Sequence, residues 1–255
     1  MYRGHSVAVV VPAYEERDTV GAVLTAQPSF VDVVYAVDDG STDGTTEVLH
    51  RAASTAGHPV VEPLVHTENR GAGAAVATGY RRARTAGHDT VVTVDADGQM
   101  DLDRMPDLLD PLVDGHAGYA KGDRLSDADH RERMPRHRVV GNLLLTGLTR
   151  LACGSGAVTD PQNGYTAITG ETLGAVDLDR LPDSHAYCND LLAQLDALDA
   201  PVVDVPMPAI YGDESSTIHY PRFVATTLRV LGAEYLRRLR GEERGDVQSP
   251  SRQRS

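Results

Sequence analysis

Short runs rich in β-branched residues recur through the N-terminal part of the chain, and each stops in a polar cluster. Residues 6–14, "SVAVVVPAY", run into "PAYEE", and residues 30–41, "FVDVVYAVDDGS", continue into "DDGSTDGT". Residues 59–67, "PVVEPLVHT", run into "HTENRGAG", and residues 89–97, "DTVVTVDAD", into "DADGQ". Near-continuous apolar runs of this length read as parallel strands covered on both faces. Helical stretches separate them: "ERDTVGAVLTAQ" spaces Val20, Val23 and Leu24 along one face, "STDGTTEVLHRAAST" opens on capping residues, and "GAGAAVATGYRRARTAG" follows the third run. This alternation predicts a doubly wound α/β sheet, and in such a sheet a ligand sits beyond the carboxyl ends of the strands. All four polar clusters fall at those ends.

The 255 residues, 41% of them hydrophobic, are enough for one compact domain. The balance is acidic, with 37 Asp plus Glu against 24 Lys plus Arg and a net charge of -13, which argues against a duplex nucleic-acid partner. Lys121 is the one lysine. That bias fits a GC-rich genome and, with the acidic excess, a salt-loving host, although codon bias explains it equally well. Cys153 and Cys188 stand far apart, so neither a disulfide framework nor a zinc site is expected, and a reducing cytoplasm fits best. The N-terminal apolar run is too short for a signal segment, and no run reaches the roughly 18 apolar residues of a spanning helix. Beyond residue 100 the pattern is less regular. "MDLDRMPDLLDPLVDG" reads as an amphipathic helix, "GYAKGDRLSDADHRERMPRHR" as a polar loop, and "VVGNLLLTGLTRLACGSG" as an apolar helix. "AYCNDLLAQLDALDAPVVDVPMPAIYGDESSTIHY" reads as helix, strand and loop; an amphipathic helix over 223–240 carries Arg229, Arg237, Arg238 and Arg240, and 241–255 is a disordered tail.

Hard divalent ions such as Mg2+ and Mn2+ take carboxylate oxygens and share them with substrate phosphates, so "DAD" at a strand tip suits a metal held against a diphosphate. Asp97 is the better direct ligand and Asp95 the strand-end residue. A lone Asp-x-Asp in a chain so rich in Asp is more often solvated surface, but four loops meeting at one rim reverse that weighting. Asp38 and Asp39 can accept bonds from a base or ribose; a turn and helix cap, with Ser41 and Asp43, accounts for them equally well. "NRGAG", residues 69–73, lacks the remainder of a P-loop or dinucleotide fingerprint, and close backbone packing is the better explanation.

In order and spacing, "VVVPAYEE", "VDDGSTDGT", "NRGAGAAVATGY" and "VDADGQ" resemble the nucleotide-sugar half of inverting GT-A glycosyltransferases of the dolichol-phosphate mannosyltransferase type. The resemblance continues through "AKGDRL", "MPRHRVVGN", "DPQNGYTAI", "CNDLLAQL" and "VPMPAIYGDESS". It implies a GT-A fold, a Rossmann-like, mostly parallel sheet flanked by helices in a single domain over 1–240. The nucleotide-sugar half would span about 6–120 and the acceptor half about 121–222. By position, Pro12, Ala13, Tyr14 and Glu16 would hold base and ribose with Val37, Asp38 and Asp39; Asp95, Ala96, Asp97 and Gln99 would hold diphosphate and metal, with Arg124 beside the phosphates. Glu15 stands where the family usually has Asn. Asp160, Gln162 and Asn163 would shape the sugar pocket, and Asp190 stands where related enzymes often carry a base; a polar helix start explains Asp190 equally well.

The implied reaction is one in-line displacement with inversion, passing a sugar from a UDP- or GDP-linked donor to a polyprenyl (dolichyl) phosphate. Enzymes making dolichol-phosphate mannose usually carry basic residues where this chain has Ala209 and Ser216, so the acceptor phosphate would fall to Arg136, Arg138, His219 or Arg222. The apolar segment 139–153 and the basic terminal helix suit a peripheral contact with the cytoplasmic membrane face; an apolar helix is also ordinary core. Two other readings stay open: transfer to a saccharide or small-molecule hydroxyl with Asp190 as base, and a non-catalytic partner that binds nucleotide-sugar.

Overall fold

The computed structural model describes residues 1–55, 57, 59–125, 159–208 and 232. The first strand, β1 (Val7–Ala13), is followed by α1 (Val20–Thr25), β2 (Val33–Asp38), α2 (Thr45–Ser54), β3 (Val60–Val65), α3 (Ala72–Ala86) and β4 (Thr90–Thr93). A 3-10 turn, Leu102–Arg104, leads into α4 (Met105–Val113) and β5 (Tyr119–Asp123). Residues 159–208 contribute β6 (Thr166–Thr169), α5 (Gly170–Ala175), α6 (Tyr187–Ala197) and β7 (Val202–Pro206). The strands form one sheet in the order β3-β2-β1-β4-β6-β5-β7.

Strands β1 to β4 pair in parallel, as the alternating pattern predicts. β6 runs antiparallel to both β4 and β5, and β5 is parallel to β7. Every described strand except β6 therefore ends at the same rim, and the chain enters β6 from that rim. Alternation along β1 divides the core between the two faces. Val7, Val9, Val11 and Ala13 pack with Val20, Leu49, Met105 and Leu109 from α1, α2 and α4. Ala8 and Val10 pack with Val76, Tyr80, Leu173 and Leu191 from α3, α5 and α6. β3 lies at the sheet edge, where Pro63 costs no central ladder bond.

One expectation is overturned here. The stretch from Gly118, read from sequence as a polar loop, begins with β5, all five residues of which are buried. Lys121 Nζ donates to the Asn163 carbonyl, a tertiary partner that no local pattern announces, and Asp123 Oδ1 accepts from Leu125 N two residues on at 2.7 Å. β6 and α5 were likewise not singled out. The later part of that stretch, the apolar segment 139–153, the terminal helix 223–240 and the tail lie outside the described residues, Gly232 excepted.

Packing, rather than a phosphate, meets the start of α3. Gly73 N and Ala74 N donate to Asp183 O at 2.8 and 3.3 Å. A Cβ at Gly71 would collide with that carbonyl, and one at Gly73 with the carbonyl of Pro182. The "NRGAG" glycines serve close backbone approach, as read from sequence.

Candidate active site

The tips of β1 and β2 are tied together before any ligand is considered. Pro12 pairs with Val37 and Ala13 with Asp38 in register, and Asp39 N donates to Ala13 O at 2.8 Å. Tyr14 projects from the β1 tip 47% exposed, a ring free for stacking, whereas Val37 is fully buried under α3 and leaves only main-chain atoms for a ligand. Glu15 has a φ of 57°, the left-handed region where Asn is favoured over most residues. Here the glutamate side chain compensates: Oε1 accepts from Thr42 N at 2.8 Å and from Thr42 Oγ1 at 2.9 Å, clasping the β2 loop.

The two carboxylates after β2 are both buried and both engaged by the protein. Asp38 accepts from Ser41 N at 3.0 Å and from the Thr46 hydroxyl. Asp39 Oδ1 accepts from His66 Nδ1 at 2.7 Å and Arg70 N at 3.0 Å, and Oδ2 from Gly71 N at 2.6 Å. Asp43 accepts from Thr45 N at 2.9 Å and Arg17 N at 3.1 Å, so turn and cap geometry describes much of this cluster.

At the β4 tip, Val94 N still bonds to Val10 O, which delivers Asp95 and Asp97 to the rim beside β1. Ala96 between them is buried, Asp95 and Asp97 are half-buried, and Asp97 Oδ1 accepts from Gln99 N at 2.9 Å. Burial, and then the neighbouring Asp97 charge, push the Asp95 carboxyl up to about 7, against the opposing charges of Arg124 and Lys121; Glu16 adds to the push. Crowded, partly dehydrated hard oxygens of this kind suit Mg2+ or Mn2+, because a divalent cation relieves the repulsion that raises Asp95. Among the described residues no group of three or more His, Cys, Asp or Glu could hold a metal, so phosphates and water would complete the coordination.

The far side of the site comes from β5 and the turn before β6. Arg124 grips Asp160, itself fully buried, through Nε at 2.7 Å and Nη2 at 3.2 Å. Asn163 is buried with both amide ends used, Nδ2 donating to Gly122 O on β5 at 2.7 Å and Oδ1 accepting from Tyr165 N at 3.1 Å. Gln162 reaches Asn189 on α6 at 3.3 Å. Gly164 lies against the Asp95 carboxylate, where a Cβ would come within 2.8 Å of Oδ2. Asp190, in the first turn of α6, is 4% exposed; it accepts from Gln194 Nε2 at 2.8 Å and lies 3.5 Å from Arg180 Nε.

Thus Pro12, Ala13, Tyr14, Glu16, Asp38, Asp39, Asp95, Ala96, Asp97 and Gln99 lie on the tips of three neighbouring strands, with Arg124, Asp160, Gln162 and Asn163 opposite. Arg136, Arg138, His219 and Arg222 lie outside the described residues. Two residues at this site were not singled out for it from sequence. Lys121 stood out only in the composition, and Gly164 was hidden inside "DPQNGY". A lone lysine in an arginine-only background was the available signal for the first.

The model of the family described as "Glycosyl transferase family 2" matches residues 8–168. Over 220 residues, 82% of this chain and 87% of the relative, the chain is 28% identical to a UDP-N-acetylglucosamine–dolichyl-phosphate N-acetylglucosaminyltransferase of Methanococcus voltae. It is 29% identical over 206 residues, 79% of this chain and 82% of the relative, to an undecaprenyl-phosphate mannosyltransferase of Micrococcus luteus. Glucosyl-3-phosphoglycerate synthase of Mycobacterium tuberculosis, crystallised with Mn2+, UDP and glucosyl-3-phosphoglycerate, superposes with a TM-score of 0.67 at 20% identity, covering 91% of this chain and 80% of that one. A mostly parallel sheet with one antiparallel strand, acidic strand tips at a single rim, and a matching family model over most of the described sheet lead to one assignment: the chain belongs to glycosyl transferase family 2 and is a glycosyltransferase of GT-A fold.

Proposed function

We propose that the protein transfers a sugar, with inversion, from a UDP- or GDP-linked donor to a polyprenyl phosphate at the cytoplasmic membrane face. The observation that carries the donor side is the Asp95–Asp97 pair, crowded at the rim between the β1 tip and the β6 turn. The acceptor is supported by the two lipid-phosphate relatives, each matched over most of its length. In this reading Tyr14 stacks on the base, while main-chain atoms around Val37 and the clasped Asp38–Asp39 turn line the ribose. Asp95 and Asp97 would hold Mg2+ or Mn2+, which when bound neutralises the diphosphate leaving group.

An oxygen of the acceptor phosphate attacks the anomeric carbon as the carbon–oxygen bond to the diphosphate breaks, so one displacement inverts the centre. Arg124, fixed by Asp160, adds positive charge on the side where the leaving group accumulates negative charge. A phosphate monoester is largely ionised near neutral pH, so this route needs no general base. Asp190 is engaged within the protein, accepting from Gln194 Nε2 at 2.8 Å and lying 3.5 Å from Arg180 Nε, which suits a positioning part in α6. The acceptor phosphate itself would fall to Arg136, Arg138, His219 or Arg222.

Incubating the full chain with radiolabelled UDP- and GDP-sugars, short polyprenyl phosphates and Mn2+ should give chloroform-soluble label. Asp97→Asn should lower the rate by about 100-fold or more, in line with loss of a charge-stabilising group. Folded Asp190→Asn protein should transfer sugar within about tenfold of the wild-type rate, as expected where no proton transfer is needed. Absence of label with every donor would overturn the lipid-phosphate reading, and abolition of transfer by Asp190→Asn would favour a hydroxyl acceptor.

A further inference from the structure

Lys121 is the only lysine in a chain whose other basic residues are all arginine, and it is completely buried. A buried ammonium is expensive unless it is paired and hydrogen-bonded, so its position calls for a reason. The ammonium donates to the carbonyl of Asn163, one residue before Gly164. Gly164 in turn lies against the Asp95 carboxylate. The positive charge of Lys121 also acts directly on Asp95 and on Asp204 at the neighbouring strand β7. Beside it Gly122 is tied on both its main-chain groups, its N donating to Tyr165 O at 2.9 Å and its O accepting from the Asn163 side-chain Nδ2 at 2.7 Å. A compact ammonium with several donors suits such a closed space, whereas the flat fork of arginine needs a planar partner.

We propose that Lys121 is a positioning residue: its ammonium holds the Asn163–Gly164 peptide against Asp95, setting the acceptor-side turn and the metal-binding carboxylate in one geometry. The inference rests on the reading of Asp95 and Asp97 as the metal and diphosphate site. Groups behind a metal ligand typically change metal affinity by about 10- to 100-fold when removed. Binding of Mn2+ with UDP or GDP to the full chain can be followed by the Mn2+ electron paramagnetic resonance signal, with circular dichroism as a check on folding. Lys121→Met should weaken this binding by about tenfold or more, and Lys121→Gln, which keeps a neutral donor for the Asn163 carbonyl, should lose less.

A folded Lys121→Met protein that binds Mn2+ and nucleotide as wild type does would overturn the proposal. Should both variants fail to fold, the unaltered protein supplies the test, since one lysine gives one amine-labelled peptide besides the N-terminus. Mn2+ with the nucleotide should slow labelling of Lys121 well beyond its effect on alkylation of the buried Cys188, and equal slowing of the two would overturn the proposal. If wild type binds no Mn2+–nucleotide complex, the reading of the site fails and this inference fails with it.

Discussion

Asp95 shows how a residue's meaning depends on its surroundings. In the sequence it is half of a common acidic pair; in the structure burial, Asp97 and Glu16 raise its carboxyl from 3.8 to about 7. The folded chain therefore retains a proton that the unfolded chain releases. Without metal, stability should fall as the pH rises from about 4 to about 7 and level off above, because the native state binds more protons across that window. Saturating Mn2+ should flatten the slope, and the affinity for Mn2+ should drop as the pH falls below about 7, since proton and metal compete for the same oxygens. Urea titrations across this range, with EDTA and then with Mn2+, measure both; identical pH slopes in the two series would contradict the assignment. Glu15 was legible as a departure from the family, but its consequence was not. Only the backbone shows the left-handed φ, and only the fold brings Thr42 within reach of its side chain.

Among the elements, β1 to β4 and the helices α1 to α4 were readable because each carries its own periodicity. β5 was not, because Lys121 and Asp123 break the apolar run, and the buried lysine finds its partner, the Asn163 carbonyl, far along the chain. The start of α3 was a mixed case: its glycines announced a close approach but not the partner, the carbonyls of Pro182 and Asp183. Gly73→Ala should cost about 2 kcal/mol in chemical denaturation, the usual scale for overfilling a packed contact. A neutral outcome would mean that the 182–184 segment yields easily. Because that segment leads into α6 and Asp190, the variant should disturb Asp190 before it disturbs Asp95.

For the molecule as a whole, the net charge of -13 sets a global term that no single contact offsets. Screening should relieve this self-repulsion, so the melting temperature should rise with KCl toward about 1 M, where the Debye length is roughly 3 Å. A steady fall in melting temperature would show that local ion pairs such as Arg3 with Asp110 and Asp114 outweigh the global charge. Among the described residues no helix is long and apolar enough to cross a membrane. The sequence by itself determined the alternation of strands and helices, and with it the rim at which "PAYEE", "DDGSTDGT", "HTENRGAG" and "DADGQ" meet, because hydrophobic periodicity is a local property. Tertiary structure alone decided that β6 turns back between β4 and β5, that Gly164 lies against Asp95, that Arg124 is held by Asp160, and that the sole lysine is buried beside the site. Those are contacts between residues distant in sequence, and their energies depend on burial and on neighbouring charges that exist only once the chain has closed.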